Sequence, residues 1–265
     1  MNSELEKELD AFPGTASVWF GPLGGPARFS RAASAPHYAA STMKAGVMVA
    51  AFREFADLSA PVLVHNSHRS AVEGAPAFGN DRGEDGDIEV WDRLGHEVPL
   101  RWLIQRMIVR SSNLATNLVL AQTGLAQVNQ VWRDAGASLA HTGRGIEDAM
   151  AREAGISNDV TAADLSKLMS ALALGQLAQP VETSEMLAIL CAQEYLDDFA
   201  QGLPSGTRMA SKNGWVTGVR HCTAVIYPDD APAYVLSACT TGEISDSDAC
   251  ALLGRIAKAS WENRK

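Results

Sequence analysis

Three short clusters in the 265-residue sequence combine residue types that can move protons and form covalent bonds. The first is Ser41-Thr42-Met43-Lys44. A serine hydroxyl becomes a nucleophile only when a nearby base takes its proton. On a helix, a spacing of three puts both side chains on one face with Cβ atoms roughly 5–6 Å apart. The lysine stem can then fold back to bring its amine to the hydroxyl, and burial or a second cation would lower its pKa far enough for it to act as base. At ordinary residue frequencies, however, Ser-x-x-Lys arises by chance roughly once in a chain of this size. The second cluster is Arg110-Ser111-Ser112-Asn113, whose plain reading is a helix cap. The third, Ser211-Lys212-Asn213-Gly214-Trp215, precedes Thr217-Gly218 and reads alone as a hairpin turn with an exposed lysine.

Other chemistries lack their patterns. The sequence holds no His-Glu-x-x-His, no Gly-x-Ser-x-Gly and no phosphate-binding Gly-rich loop ending in Lys-Ser or Lys-Thr. His65 and His68 are the closest pair of histidines, without a third zinc ligand, so both read as surface residues. No metal or cofactor is implied. Cys191, Cys222, Cys239 and Cys250 form no Cys-x-x-Cys and read as buried free thiols. With 22 Lys+Arg against 31 Asp+Glu, the net charge of −9 and the lack of a basic cluster exclude nucleic acid as a partner. The densest charge, between Asp81 and Glu97, is mainly acidic and reads as a solvated loop. No apolar run approaches the roughly 18 residues of a membrane span. The start MNSELEKELDAFPG lacks both the basic opening and the apolar stretch of a secretory signal, so a cytoplasmic location is expected if Met1 is the natural start.

The elements that must position the clusters follow from periodicity. Hydrophobic residues make up 46% of the chain, enough for a substantial core. Leu5, Leu9 and Phe12 predict a helix over 2–12, and alternation around Val18 and Phe20 predicts a strand returning over 27–31. Val47, Met48, Ala51, Phe52, Phe55 and Leu58 predict a helix with one buried stripe opening at Ser41. Residues 59–98 and 136–160 read as mostly irregular. Helices are predicted over 100–109, 114–122, 125–135, from the Thr161 cap to about 174, over 183–190 and over 247–261. Strands are predicted over 207–211, 219–227 and 234–240. Trp102 and Trp132 fall on helical stripes and read as core. This segregated order predicts an α+β fold with an antiparallel sheet. Residues 1–40 and 196–265 would form an α/β lobe, and 41–195 an inserted all-α lobe.

Taken together, the three clusters match in order and spacing the set Ser-x-x-Lys, Ser-Asp-Asn and Lys-Thr-Gly of class A β-lactamases and penicillin-binding proteins. The chain resembles the serine β-lactamase-like family over nearly its whole length, and the stretch Met107–Leu120 is close to the corresponding region of class A-like serine hydrolases. The resemblance implies a β-lactamase-like fold with the site in a cleft between two lobes. It makes Ser41 the acylated nucleophile, Lys44 its proton acceptor, Ser111 a proton relay to the leaving group and Asn113 a substrate-holding amide. Lys212 would supply positive charge, and the backbone N–H groups of Ser41 and Trp215, the latter following Asn213-Gly214, would form the oxyanion hole. Arg220 and His221 stand near where class A enzymes carry an arginine for a substrate carboxylate. Trp215 would crowd a bicyclic substrate or stack on an aromatic one.

The sequence also departs from the family. Ser112 stands where the family usually has Asp, and Asn213 replaces a Thr or Ser. Class A enzymes hold their hydrolytic water with a Glu and an Asn four residues later. Here Glu147 falls at about the right place, residue 151 is Ala, and Asp148 is the other candidate. The structural alternative pairs Glu147 or Asp148 with Arg144 or Arg152. The implied function is a serine hydrolase cleaving a small-molecule amide or ester, with a β-lactam as the leading substrate. An intracellular esterase, peptidase or biosynthetic acyl hydrolase is the alternative, as is a penicillin-binding sensor without turnover.

Overall fold

The structure, a computed structural model, describes residues 3–265. It opens with α1 (Ser3–Asp10), which buries Leu5 and Leu9; Asn2 of the predicted helix lies outside the described residues. Then come β1 (Gly14–Pro22), β2 (Phe29–Arg31) and β3 (His37–Tyr38). A 3-10 turn over Ala40–Met43 leads into α2 (Lys44–Glu54). Every residue from Lys44 to Phe52 is buried, so α2 is a central helix enclosed on all sides, not the one-striped helix of the sequence reading. Gly46 lets it approach α6, since a Cβ there would stand 3.0 Å from the Trp132 ring.

β4 (Pro61–Leu63) and β5 (Glu97–Pro99) pair antiparallel, with α3 (Ile88–Trp91) between them. The helices α4 (Leu100–Val109), α5 (Asn113–Thr123) and α6 (Leu125–Asp134) follow close to their predicted bounds. β6 (His141–Thr142), α7 (Ala149–Glu153) and β7 (Asn158–Val160) occupy the segment read as irregular, and β7 joins β3 to β6. Strands of two or three residues are too short to show a period, which is why the sequence hides them. Thr161 caps α8 (Ala162–Ala173) by accepting from Asp164 N, as expected. After α9 (Pro180–Cys191) and α10 (Phe199–Gly202) come β8 (Arg208–Val216), β9 (Val219–Tyr227), β10 (Tyr234–Gly242) and α11 (Asp246–Glu262).

The main sheet has the order β2-β1-β10-β9-β8 with antiparallel pairing, leaving β8 on an edge. Its residues alternate between two cores, as the two-residue period requires. Val18, Phe20, Ala224, Ile226 and Leu236 face α1 and α11, where Leu5, Leu252 and Ile256 complete one core. Val225, Val235 and Cys239 face the helical body and join the larger core around α2, α4, α5 and α8. Helix α8, inside 41–195, lies against the sheet through a hydroxyl chain, Ser166 to Ser237 at 2.8 Å and Ser237 to Thr223 at 2.6 Å. The boundary between the expected lobes therefore runs through a shared core.

Three local readings need correction. Lys212-Asn213-Gly214 lies inside β8 and not in a turn; the hairpin turns at Thr217-Gly218, and Lys212 is fully buried. The acidic stretch 81–97 is not simply solvated, because Asp87 is buried and holds the Arg106 guanidinium. His68 is buried against Phe78 instead of lying on the surface. Trp132 is fully buried and Trp102 is partly buried against the core. Cys222, Cys239 and Cys250 are buried free thiols, and Cys191 is half-buried. Among the described residues no helix is long and apolar enough to cross a membrane.

Candidate active site

Ser41 sits in the 3-10 turn ahead of α2 and faces an open cleft of about 1270 Å³. Its hydroxyl makes no hydrogen bond among the described residues. Ala40, just before it, has a φ of 45°, a strained conformation for a residue with a Cβ. β8 passes directly beneath the turn at Gly214, where a Cβ would stand 2.6 Å from Ser41 N and 2.9 Å from Thr42 N. Only glycine allows that approach. Val216 and Val219 close the two-residue hairpin, so Trp215 and Arg220 form the next, non-hydrogen-bonded pair of the antiparallel ladder. That alternation turns the Trp215 N–H away from β9, off the free edge of the sheet.

Lys44, one helical turn after Ser41, is fully buried. Its Nζ donates to Ser111 O at 2.7 Å and Asn113 Oδ1 at 2.9 Å, with Ser111 Oγ at 3.3 Å. Burial lowers its pKa from 10.5 to about 7, against the opposing pull of Asp85 and Glu147. The positive end of α2 also disfavours a cation there. Lys212 Nζ approaches the same hydroxyl from β8, 3.2 Å from Ser111 Oγ, and donates to Asn213 O at 2.8 Å. Burial, and then the charge of Lys44, push its pKa well down. Two buried amines thus share one hydroxyl, on a Ser111 held at a φ of 55°.

Ser112 caps α5, accepting from Ala115 N at 3.1 Å. The carboxylate that the family usually carries at this position comes instead from Asp85, which accepts from Ser112 Oγ at 3.2 Å and Leu114 N at 2.8 Å. Asn113 turns its amide oxygen to Lys44 and its Nδ2 to Glu147 Oε1 at 3.1 Å. Glu147 has a φ of 69°, and its other oxygen accepts from Asp81 N at 2.6 Å. The residue before it is clamped on both sides: Ile146 N donates to Asn117 Oδ1 at 2.8 Å, and Ile146 O accepts from Asn117 Nδ2 at 2.8 Å. Glu147 therefore reaches the lysine–serine cluster through Asn113.

Asp148 does not. Its buried carboxylate caps α7 at Ala151 N, 3.1 Å, and accepts from Ser70 Oγ at 2.9 Å and Ala71 N at 2.8 Å. These three bonds give Asp148 a capping role at the cleft wall, with no link to the lysine–serine cluster among the described residues. Neither it nor Glu147 pairs with Arg144 or Arg152, contrary to the structural alternative.

Two expected substrate contacts are also turned inward. His221 is completely buried, with Nε2 at 2.9 Å from Tyr38 O and Nδ1 accepting from Thr240 N at 3.2 Å, and burial lowers its pKa to about 4. Asn213 is buried as well; its Nδ2 donates to Tyr195 O at 3.0 Å and Asp198 Oδ2 at 3.2 Å. Arg220 lines the cleft, but its guanidinium already meets Asp198 at 3.1 Å and Asp246 at 3.2 Å. It also lies over the Trp215 ring at 5.0 Å, while Tyr195 packs on that ring edge-on at 5.1 Å. Trp215 is thus a fixed wall of the cleft.

The sequence reading missed Asp85, Asn117, Tyr195 and Asp198. Each acts through a loop or a helix face distant in sequence, so no spacing marks it. Asp85 lay within the acidic run, where a buried capping carboxylate looks like any solvated one. Among the described residues no cluster of three or more His, Cys, Asp or Glu is arranged to hold a metal.

Comparison with known proteins bears on the family and the fold. A family model described as the Beta-lactamase enzyme family matches residues 1–263. No curated protein matches the chain in sequence. Among solved structures, the chain is similar to a β-lactamase from Sphaerobacter thermophilus DSM 20745, with 25% identity, 99% of this chain and 96% of that one covered, and a TM-score of 0.82. PBP-A superposes with 20% identity, 98% and 95% coverage and a TM-score of 0.80, and the same values hold for a point mutant of it described as an acyl-enzyme complex with penicillin G. A β-lactamase from Xanthomonas campestris pv. campestris gives 18% identity, 97% and 94% coverage and a TM-score of 0.82. At identities below a quarter, PBP-A, its mutant and the Xanthomonas protein show the shared fold alone.

Proposed function

The chain belongs to the Beta-lactamase enzyme family, and from that premise we propose that it is a serine hydrolase opening an amide or ester bond through an acyl-enzyme on Ser41. A β-lactam ring is the leading substrate. The observation that carries this reading is the Lys44 amine, buried one turn from Ser41 with its pKa lowered to about 7. An ordinary lysine is almost fully charged at neutral pH and has no lone pair to offer; this one is neutral in about half the molecules at its midpoint.

In the proposed reaction, neutral Lys44 takes the Ser41 proton as Oγ attacks the carbonyl carbon. The carbonyl π electrons move onto oxygen, which accepts from the N–H groups of Ser41 and Trp215. Two such donors placed before the charge develops are worth several kcal/mol to the transition state. The oxyanion then collapses and the carbonyl–leaving-group bond breaks. Ser111 gives its proton to the leaving atom and is reprotonated by Lys44 or Lys212, both within 3.3 Å of its oxygen. Lys212 regains charge most readily when Lys44 is neutral or when an anion lies against it. For deacylation, Glu147 takes a proton from water as the water oxygen attacks the ester, and that proton passes from Glu147 by way of Lys44 to the departing Ser41 Oγ, which leaves Glu147 ionised and Lys44 neutral. Asn113 holds Glu147 in position for this step.

Ala151 is fully buried and offers no polar group to a hydrolytic water, which favours slow deacylation as the second reading. A PBP-A mutant of similar fold is described as an acyl-enzyme complex with penicillin G. One experiment separates the outcomes: exposure to nitrocefin, a p-nitrophenyl ester and a fluorescent penicillin, each followed by intact mass. Nitrocefin turnover identifies a β-lactamase, ester turnover alone an esterase, and a lasting penicillin adduct a slow acylator. Glu147→Gln should convert turnover into a trapped adduct. If Ser41→Ala is modified and turns over like the wild type, the nucleophile is wrong.

A further inference from the structure

The cleft is unevenly charged. At the β8–β9 end, one guanidinium, Arg220, serves two carboxylates, Asp198 and Asp246, so this corner holds no positive charge to spare. The stretch of lining within residues 144–157 carries Arg144 and Arg152, and neither pairs with a carboxylate among the described residues. Arg144 is only 5% exposed. Its Nε donates to Ile156 O at 3.0 Å, its Nη1 to Gly145 O at 3.2 Å, and the guanidinium lies over the Tyr38 ring at 5.5 Å. These neutral partners orient the group without cancelling its charge, and its Nη2 makes no hydrogen bond. Glu147 and Asp148, the nearest acids along the chain, are committed to Asp81 N and Asn113 in one case and to Ser70, Ala71 and Ala151 in the other. Arg144 and Arg152 both line the cleft, from which a carboxylate can reach them.

We propose that Arg144 and Arg152 form an anion subsite, and that the substrate is an amide or ester whose acyl part ends in a carboxylate. The acyl carbonyl sits at Ser41, the leaving group faces Ser111, and the terminal carboxylate lies on the Arg144 guanidinium, whose planar donors suit a two-oxygen acceptor. This deepens the serine-hydrolase reading and rests on it. The orientation puts the acidic end of the substrate away from Arg220, whose charge is already used within the fold.

The test compares p-nitrophenyl hemiglutarate with p-nitrophenyl valerate, which share leaving group and chain length and differ in the terminal carboxylate. The wild type should favour the glutarate ester in kcat/KM by about tenfold or more, as expected of a charge-assisted contact. The preference should shrink at high salt. It should fall to about one in Arg144→Gln and be partly kept in Arg144→Lys. Arg144→Gln removes buried hydrogen bonds, so Arg152→Gln, an exposed change, provides a second reading and should lower the preference by about threefold. Equal rates on the two esters, or a preference untouched by both glutamine variants, overturns the subsite while Ser41 acylation by valerate leaves the hydrolase reading intact. If neither ester acylates Ser41, nitrocefin and the fluorescent penicillin decide the hydrolase reading, and calorimetry with glutarate decides the subsite. Binding weakened about tenfold by Arg144→Gln supports it, and no binding to the wild type overturns it.

Discussion

Replacing Lys44 by Met tests the central electrostatic claim without any substrate. Methionine nearly matches the lysine stem in length and keeps the site apolar. A lysine with a pKa near 10.5 in the unfolded chain and about 7 in the fold binds fewer protons folded than unfolded throughout that interval. Folding must therefore release a proton, and the associated cost diminishes as pH rises from about 7 to 10.5. At about pH 7 holding the amine neutral costs roughly 4 kcal/mol, and at about pH 9 roughly 2 kcal/mol. Lys44→Met removes this cost but leaves Ser111 O and Asn113 Oδ1 without their donor, at about 1–3 kcal/mol each independent of pH.

The variant should consequently match or exceed the wild type in stability near neutral pH and lose about 2 kcal/mol relative to it by about pH 9. Urea unfolding of both proteins at the two pH values measures this difference. In the wild type, the rate of Ser41 acylation should rise about tenfold per pH unit up to about 7 and then level off. Stability differences that stay constant between the two pH values, or acylation that keeps rising past about pH 9, would mean that Lys44 is protonated in the fold and is not the base.

Three further outcomes follow from the packing. Gly214→Ala places a Cβ 2.6 Å from Ser41 N and should cut acylation by about a hundredfold or more with the circular dichroism spectrum unchanged. His37, His68 and His221 have pKa values lowered from 6.5 to about 4, in each case chiefly by burial, so the fold binds fewer protons than the unfolded chain within that window. Stability should fall as pH drops from about 6.5 to 4, by up to roughly 3 kcal/mol per histidine, and then flatten; urea midpoints across the window read the slope. Asp198→Ala leaves Arg220 buried beside only the exposed Asp246 and frees Asn213, and should cost about 3–5 kcal/mol in urea unfolding.

The long helices were legible because each buries an apolar face repeated over several turns, as in Leu103, Ile104, Met107 and Ile108 of α4. The reading of α2 found the helix but assigned it one stripe, since Ala45, Gly46 and Ala50 fit a buried environment without advertising it. Ser41, Lys44, Ser111, Asn113, Lys212 and Glu147 were visible as residue types at fixed separations; the fold links the last five around Asn113 and the Ser111 hydroxyl, while Ser41 faces the cleft beside them. Spacing did not reveal direction. Glu147 and Asp148 are neighbours in sequence, yet the positive φ at Glu147 turns one carboxylate toward Asn113, while Asp148 turns back to cap α7. His221 and Arg220 alternate across a strand in the same way, one beneath the Ser41 turn and the other along the cleft wall.

That difference in direction has an energetic origin. Four residues other than glycine adopt positive φ among those described, and three of them are Ala40, Ser111 and Glu147, which precede or carry the reacting groups. Each costs about 1–3 kcal/mol, on top of the cost of two buried amines. Nothing in the three residues themselves favours such a backbone. The surrounding contacts must impose it: Gly214 against the Ser41 turn, Ser112 and Asp85 on the start of α5, and Asn117 on both polar groups of Ile146. Gly214, Ser112 and Asn117 among these supports are uncharged, so they hold strain without titrating. Arg144 has neutral contacts as well, but it retains an uncancelled charge. The backbone contacts of Arg144 to Ile156 O and Gly145 O need donors but no charge. On the proposed reading, that charge is answered by a carboxylate bound in the cleft.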